Sequence, residues 1–314
     1  MSKSLLASIL LVFALTRLES APARPETAKG RDAQRQRRIP LPRPAPPGYK
    51  LVLNQDYGGE GNPRQMLDLY LPVKADNRPL VVWIHGGGWR QGSKENIPMM
   101  WLLEKGYALA SINYRLSGEA KFPAQAHDCK GAIRWLRANA RRFGYDAGRI
   151  GIAGSSAGGH LVALLGVSGG VPELEGTVGG NLKHSSRVQA VIDLYGPTDF
   201  LTMVEQPSRI DRSGADCPEA LLIGGVVKEN PDKARAASPS TYVSSDDPPH
   251  LIYQGDKDPL VPWQQSTSFH ALLEKAGVKS DLVMIKGGEH GGPRFVRDQE
   301  AKDRQLAFFD RYLK

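Results

Sequence analysis

The sequence predicts an α/β fold, a mostly parallel central sheet with helices on both faces. Three observations predict it. First, short apolar runs rich in Val, Ile and Leu recur at 80–84, 108–112, 150–153, 188–194, 251–253 and 282–285. Several are apolar throughout, as parallel strands covered on both faces are. Second, helical patterns lie between them. Ile133, Leu136, Ala140 and Phe143 step by three and four before Gly144, and Phe269, Leu272, Leu273 and Ala276 do the same before Gly277. Leu306, Phe309 and Leu313 mark a last helix. Third, Gly-rich segments follow several predicted strands directly. Those positions are the carboxyl ends, where open α/β sheets place their ligand sites.

The chain has 314 residues, 40% of them hydrophobic and 24% charged, enough for a sizeable core. Its formal charge of +8 suggests an acidic partner until its distribution is considered. Residues 1–47 carry nine Lys/Arg against three Asp/Glu, leaving 32 against 30 for the rest. With the basic excess in the tail and no nucleic-acid motif beside it, the composition gives no support to nucleic-acid binding.

The first 23 residues are expected to be a signal peptide. Lys3 precedes the apolar run Leu5–Leu15, too short to span a bilayer, and Ala21-Pro22-Ala23 offers a small-residue cleavage site. An uncleaved anchor or a chance apolar start would look similar. Residues 24–47, rich in Arg and Pro, cannot bury a core and are expected to form a solvated linker. Residues 48–314 read as one domain, with no later membrane helix. Cys129 and Cys217 would be free to pair in an exported chain, although Cys129 sits in a helical pattern where a buried, inert thiol is the simpler expectation.

The chemistry-bearing residues come in chain order. Gly154-Ser155-Ser156-Ala157-Gly158 fits G-x-S-x-G between a predicted strand and a predicted helix. Such a turn is too tight for side chains at its glycines and lifts the Ser156 hydroxyl over the helix N-terminus. Without chemistry it would be a plain strand-to-helix turn. His85-Gly86-Gly87-Gly88-Trp89 follows the strand 80–84. Its glycines let backbone N–H groups point into a site, as acyl transfer requires for the oxygen that turns negative. Gly86, Gly87 and Ala157 are the expected oxyanion donors, and His85 is expected to orient the loop.

On these motifs the chain resembles the hormone-sensitive-lipase-like and feruloyl-esterase-like branch of the α/β-hydrolase fold. The resemblance extends over most of 50–314 through Asn113-Tyr114-Arg115-Leu116, His127-Asp128, Tyr195-Gly196-Pro197-Thr198-Asp199 and Ala237-Ser238-Pro239, mostly core and turn chemistry. Gly255-Asp256-Lys257-Asp258-Pro259-Leu260-Val261-Pro262 looks like the family's acid loop, which selects Asp258 over Asp256. His290, between glycines in Gly287-Gly288-Glu289-His290-Gly291-Gly292, completes the order Ser, Asp, His. The resemblance implies a Ser156–His290–Asp258 triad, an acyl-enzyme, and a small-molecule or carbohydrate-linked ester as substrate. It implies no metal and no organic cofactor. With export, secreted or periplasmic, plant cell-wall or other extracellular esters come first. The long segments 166–187 and 200–239 are expected to form a small cap over the site.

Two rivals stand beside this reading. Prolyl-oligopeptidase-like peptidases share the serine turn and the acid loop, but they carry a large extra domain for which the short linker leaves no room. A non-catalytic binding protein could keep the fold, but drift would be expected to strike one member of the triad.

Overall fold

A computed structural model of the protein describes residues 44–74 and 76–314. The expected signal peptide and all but the last four residues of the expected linker lie outside the described residues.

Among the described residues eight strands form one sheet: β1 (Tyr49–Asp56), β2 (Met66–Pro72), β3 (Arg78–Ile84), β4 (Ala108–Ile112), β5 (Tyr145–Ser155), β6 (Ala190–Leu194), β7 (His250–Gly255) and β8 (Ser280–Ile285). Their order is β1-β2-β4-β3-β5-β6-β7-β8. The pairs β1–β2 and β2–β4 are antiparallel, and all others are parallel. The helices are α1 (Ala124–Phe143), α2 (Ala157–Val167), α3 (Pro172–Glu175), α4 (Phe200–Met203), α5 (Pro218–Ile223), α6 (Pro231–Ala236), α7 (Gln264–Lys275), α8 (Pro293–Val296) and α9 (Gln299–Leu313).

The layers follow from the two-residue period of a strand. On β3, Leu80, Val82 and Ile84 face one core with α1 and α2, contributed by Ile133, Leu136, Leu161 and Leu165. Val81 and Trp83 face the opposite core with Phe308, Phe309 and Leu313 of α9. Burying both faces explains why the central strands are apolar throughout, β6 being fully buried along its length. Gly144 ends α1 in the left-handed region (φ +80°), its N–H bonded to Ala140 O at 2.8 Å. The predicted stop at Gly277 also follows its helix, with φ +83°.

The periodicity does not announce β1 and β2. On β2, Asp68 interrupts the apolar run yet is fully buried, because the Lys94 ammonium meets both its oxygens at 2.8 Å. Cys129 and Cys217 are both buried and unpaired. No helix among the described residues is long and apolar enough to cross a membrane.

Candidate active site

Ser156 stands between the end of β5 and the start of α2 with φ 54° and ψ −120°. A non-glycine residue in such a conformation costs about 1–3 kcal/mol and persists only where its surroundings over-determine it. Here the Ser156 N–H donates to Leu194 O on the neighbouring strand at 2.8 Å, and Ser156 O accepts from His160 N at 2.9 Å. The flanking glycines are sterically required. A Cβ on Gly158 would lie 2.1 Å from Ile84 O, and one on Gly154 would lie 2.3 Å from Gly158 O. Ala157 opens α2, so its N–H has no acceptor within the helix.

The loop after β3 is pressed against this turn. A Cβ on Gly86 would lie 2.6 Å from Ser155 O and 3.3 Å from Ser156 Cβ. Gly87 follows with φ +116°, its carbonyl accepting from Arg90 N and Gln91 N. His85 holds the loop from below. Its ring stacks on Tyr114 at 4.4 Å, and Nδ1 bonds Gly86 O at 2.8 Å. Burial pushes the His85 pKa down to about 4, so at neutral pH the ring is uncharged and gives its Nδ1–H to that carbonyl.

The sequence alone did not single out the next contact. Trp89, itself at φ 55°, donates its indole N–H to His160 Nδ1 at 3.2 Å, and His160 Nε2 donates to Ala237 O at 2.7 Å. Burial lowers the His160 pKa to about 4. Phe200 stacks on the same imidazole. An indole beside a buried helix histidine carries no sequence spacing that would betray it.

Asp258 follows β7 and is nearly buried. Its Oδ1 accepts from the N–H groups of Leu260 and Val261 at 2.8 and 2.9 Å. Its Oδ2 accepts from Gln254 Nε2 at 3.2 Å and from His290 Nδ1 at 2.7 Å. Gln254 is held in turn by Ser266 Oγ at 2.9 Å. Asp256, two residues earlier, instead accepts the Gly287 N–H at 2.6 Å and so braces the loop that carries His290. His290 Nε2 lies 2.9 Å from Ser156 Oγ. With Nδ1–H given to Asp258, Nε2 is the acceptor for the serine hydroxyl. Ser156, His290 and Asp258 thus form one hydrogen-bonded row, with Gly86 and Ala157 beside the serine and Gly87 one residue further along the loop. Among the described residues no cluster of His, Cys, Asp and Glu could hold a metal ion.

Of the two long segments expected to cap the site, 200–239 approaches it. In 200–239, Ser208 Oγ and Arg209 N bond the Pro259 carbonyl, and Arg212 bonds Leu260 O, all on the acid loop. Pro218 faces Gly88 of the glycine loop. The segment 166–187 runs along α1 instead. There Glu175 binds Lys130 and Arg134 at 2.7 and 3.3 Å and also accepts from Ser186. Two buried cationic partners, Lys130 and Arg134, hold it to that helix.

Residues 67–273 match the BD-FAE family model. Esterase LipC of Mycobacterium tuberculosis (strain ATCC 25618 / H37Rv) is 33% identical over 245 residues, 75% of this chain and 58% of LipC. Esterase LipQ of the same strain is 36% identical over 225 residues, 70% of this chain and 52% of LipQ. The chain therefore spans little more than half the length of these relatives. Among solved structures, a truncated form of a carbohydrate esterase from gut microbiota superposes with a TM-score of 0.78 at 35% identity, covering 85% of this chain and 98% of that one.

Proposed function

The chain belongs to the BD-FAE family of the α/β-hydrolase fold, and we propose that it is a carboxylesterase-type hydrolase that cleaves acyl esters of carbohydrates through Ser156, His290 and Asp258. The observation that carries this reading is the unbroken row from Asp258 Oδ2 through both imidazole nitrogens to Ser156 Oγ.

In this mechanism Ser156 Oγ attacks the ester carbonyl while its proton passes to His290 Nε2. The N–H groups of Gly86, Gly87 and Ala157 receive the oxygen that becomes negative. Asp258, already holding Nδ1–H, stabilises the imidazolium and does not itself take the proton. Collapse of the tetrahedral species expels the alcohol, which receives the proton from Nε2. Water then attacks the acyl-serine by the same route in reverse, releasing the carboxylic acid and restoring Ser156. Every proton is accounted for by the three side chains and water, so the mechanism calls for no metal or organic cofactor. The carbohydrate part of the reading is supported by the structural neighbour described as a carbohydrate esterase, and plant cell-wall esters lie within it. Export belongs to the same reading, with a mature chain starting near residue 24, a linker to residue 47 and the catalytic domain at 48–314. Terminal sequencing of exported protein checks this, and an intact Met1 would overturn it.

The test is a substrate screen with p-nitrophenyl acetate, acetylated xylo-oligosaccharides, methyl ferulate and aminoacyl p-nitroanilides. Ester turnover is expected, with a loss of about three or more orders of magnitude in Ser156→Ala and the fold retained. Preference for the anilides would make the protein a peptidase, and turnover of none would make it a binding protein.

A further inference from the structure

β6 ends at Leu194, whose carbonyl anchors the Ser156 N–H. The next residue, Tyr195, takes φ +49°, a conformation that bulky side chains avoid because Cβ crowds the following carbonyl. Its main chain is fixed there by a bond from its N–H to Tyr253 O at 2.8 Å. The turn that follows is tight: Gly196 N bonds Asp193 Oδ1 at 2.9 Å, and a Cβ on Gly196 would lie 2.4 Å from the Gly159 carbonyl carbon of α2. A glycine at 195 would relieve the strain, so the tyrosine side chain must do something that offsets it.

The ring reaches across to the histidine loop. Its centroid is 4.7 Å from that of His290 with the planes 63° apart, and Phe295 backs it at 4.9 Å and 84°. The hydroxyl faces the Ser155 side chain, next to the nucleophile. It also lies 3.1 Å from where a Cβ on Gly291 would stand, directly beside His290. One side chain therefore packs its ring along the imidazole and sets its hydroxyl against Gly291, on the side of the serine turn. Burial and the nearby Asp258 charge raise the Tyr195 pKa, so the phenol is neutral at working pH and adds no charge to the site.

We propose that Tyr195 is a positioning residue for the hydrolysis, its ring holding the His290 imidazole in line between Asp258 and Ser156 and its hydroxyl fixing that ring to the serine turn through Ser155. The proposal rests on the Ser156–His290 reading of the site. The imidazole needs such a wall. Its loop is glycine on both sides, with Gly291 and Gly292 at φ +97° and +117°, so the backbone alone does little to set the ring plane.

The experiment compares Tyr195→Phe, Ser155→Ala, their double variant, Tyr195→Ala and Ser156→Ala, each checked for folding by circular dichroism, with kcat and KM for p-nitrophenyl acetate measured separately. Tyr195→Phe keeps the ring and removes one neutral hydrogen bond, so kcat is expected to fall about three- to tenfold with KM unchanged. Ser155→Ala should match it, and the double variant should lose no more than either alone, because both remove the same bond. Tyr195→Ala, without the wall, should lose about a hundredfold in kcat, the scale of a reacting group displaced by about 1 Å. The low-field proton resonance of His290 Nδ1–H should broaden in the same order. Tyr195→Phe with parental kcat and an unchanged resonance overturns the proposal, and this holds even if Tyr195→Ala does not fold. So do additive losses in the double variant, or losses carried by KM. Full activity in Ser156→Ala would instead overturn the reading of the site beneath it.

Discussion

The indole N–H of Trp89 and the Nδ1 of His160 meet at 3.2 Å, and this bond, with the one from His160 Nε2 to Ala237 O, joins the glycine loop, the helix behind the serine and the end of the 200–239 segment. Trp89→Phe keeps most of the ring volume but leaves Nδ1 buried without a donor. Stability is expected to fall by about 1–3 kcal/mol, the cost of an unsatisfied buried polar atom. Turnover per folded molecule should fall as well, because the loop bearing Gly86 and Gly87 loses its tie to α2. Urea denaturation and ester assays at equal folded concentration measure both. A variant with parental midpoint and parental kcat would show that the bond joins nothing of consequence.

Asp258 and Asp256 share one loop and divide its work. Asp258 accepts four hydrogen bonds, one from His290, whereas Asp256 braces Gly287 from a half-buried position. Asp258→Asn is expected to lower kcat by about four orders of magnitude, since the amide cannot compensate the imidazolium and favours the wrong tautomer. Asp256→Asn should cost stability, through the loop that carries His290, with little loss of turnover per folded molecule. If Asp256→Asn cost more turnover than Asp258→Asn, the assignment of the acid would be reversed.

These two pairs also mark what the sequence makes legible. The serine, acid and histidine motifs are local, each a short run after a strand. The strands beneath them are apolar enough to be read because both faces are covered. Trp89–His160 and Tyr195–His290 depend on which segments the fold brings together, and no spacing along the chain encodes that. β2 is hidden for a related reason. Its apolar run is interrupted by Asp68, whose burial makes sense only beside Lys94, 26 residues away. The two long segments are alike in composition but not in place, because Glu175 finds two cationic partners on α1 while Arg212 finds the acid loop.

Gly86 offers a test of how closely the glycine loop must approach the serine. An added Cβ would stand 2.6 Å from Ser155 O, a backbone atom that cannot swing aside. Gly86→Ala must therefore push the loop and the serine turn apart, taking the Gly86 and Gly87 N–H groups from the position of the developing oxyanion. A loss of about a hundredfold or more in kcat is expected, comparable to removing one such donor. At Gly88 the nearest atom to an added Cβ is 3.6 Å away, an ordinary contact, although φ is +59°. Gly88→Ala should cost about 1 kcal/mol of stability from its left-handed backbone and leave kcat near parental. Equal kcat losses in the two variants would detach the close approach from catalysis.

Four buried groups give the protein an acid-side stability profile with a definite sign. Burial lowers the pKa of His85, His160 and His250 from 6.5 to about 4, and raises that of Asp193 from 3.8 to about 7. Between about pH 4 and 6.5 the unfolded chain holds a proton on each of the three histidines that the folded chain lacks. Over the same range the folded chain holds one proton on Asp193 that the unfolded chain lacks. Three protons gained and one released leave a net uptake of two on unfolding, so stability falls as pH falls through this window. The slope from these groups is about 3 kcal/mol per pH unit, at about 1.4 kcal/mol for each proton. The histidine contribution is fully present above pH 6.5 and gone below 4, whereas Asp193 opposes it by destabilising the fold as pH rises. Urea denaturation between about pH 5 and about pH 6, above the range where ordinary carboxylates titrate, measures the slope directly. His250→Gln should cut the net uptake from two protons to one. Asp193→Asn, which keeps the acceptor for Gly196 N and cannot ionise, should raise it to three. Stability independent of pH in this window, or the two substitutions moving the slope in the same direction, would mean that these buried groups do not titrate with the opposing shifts their burial demands.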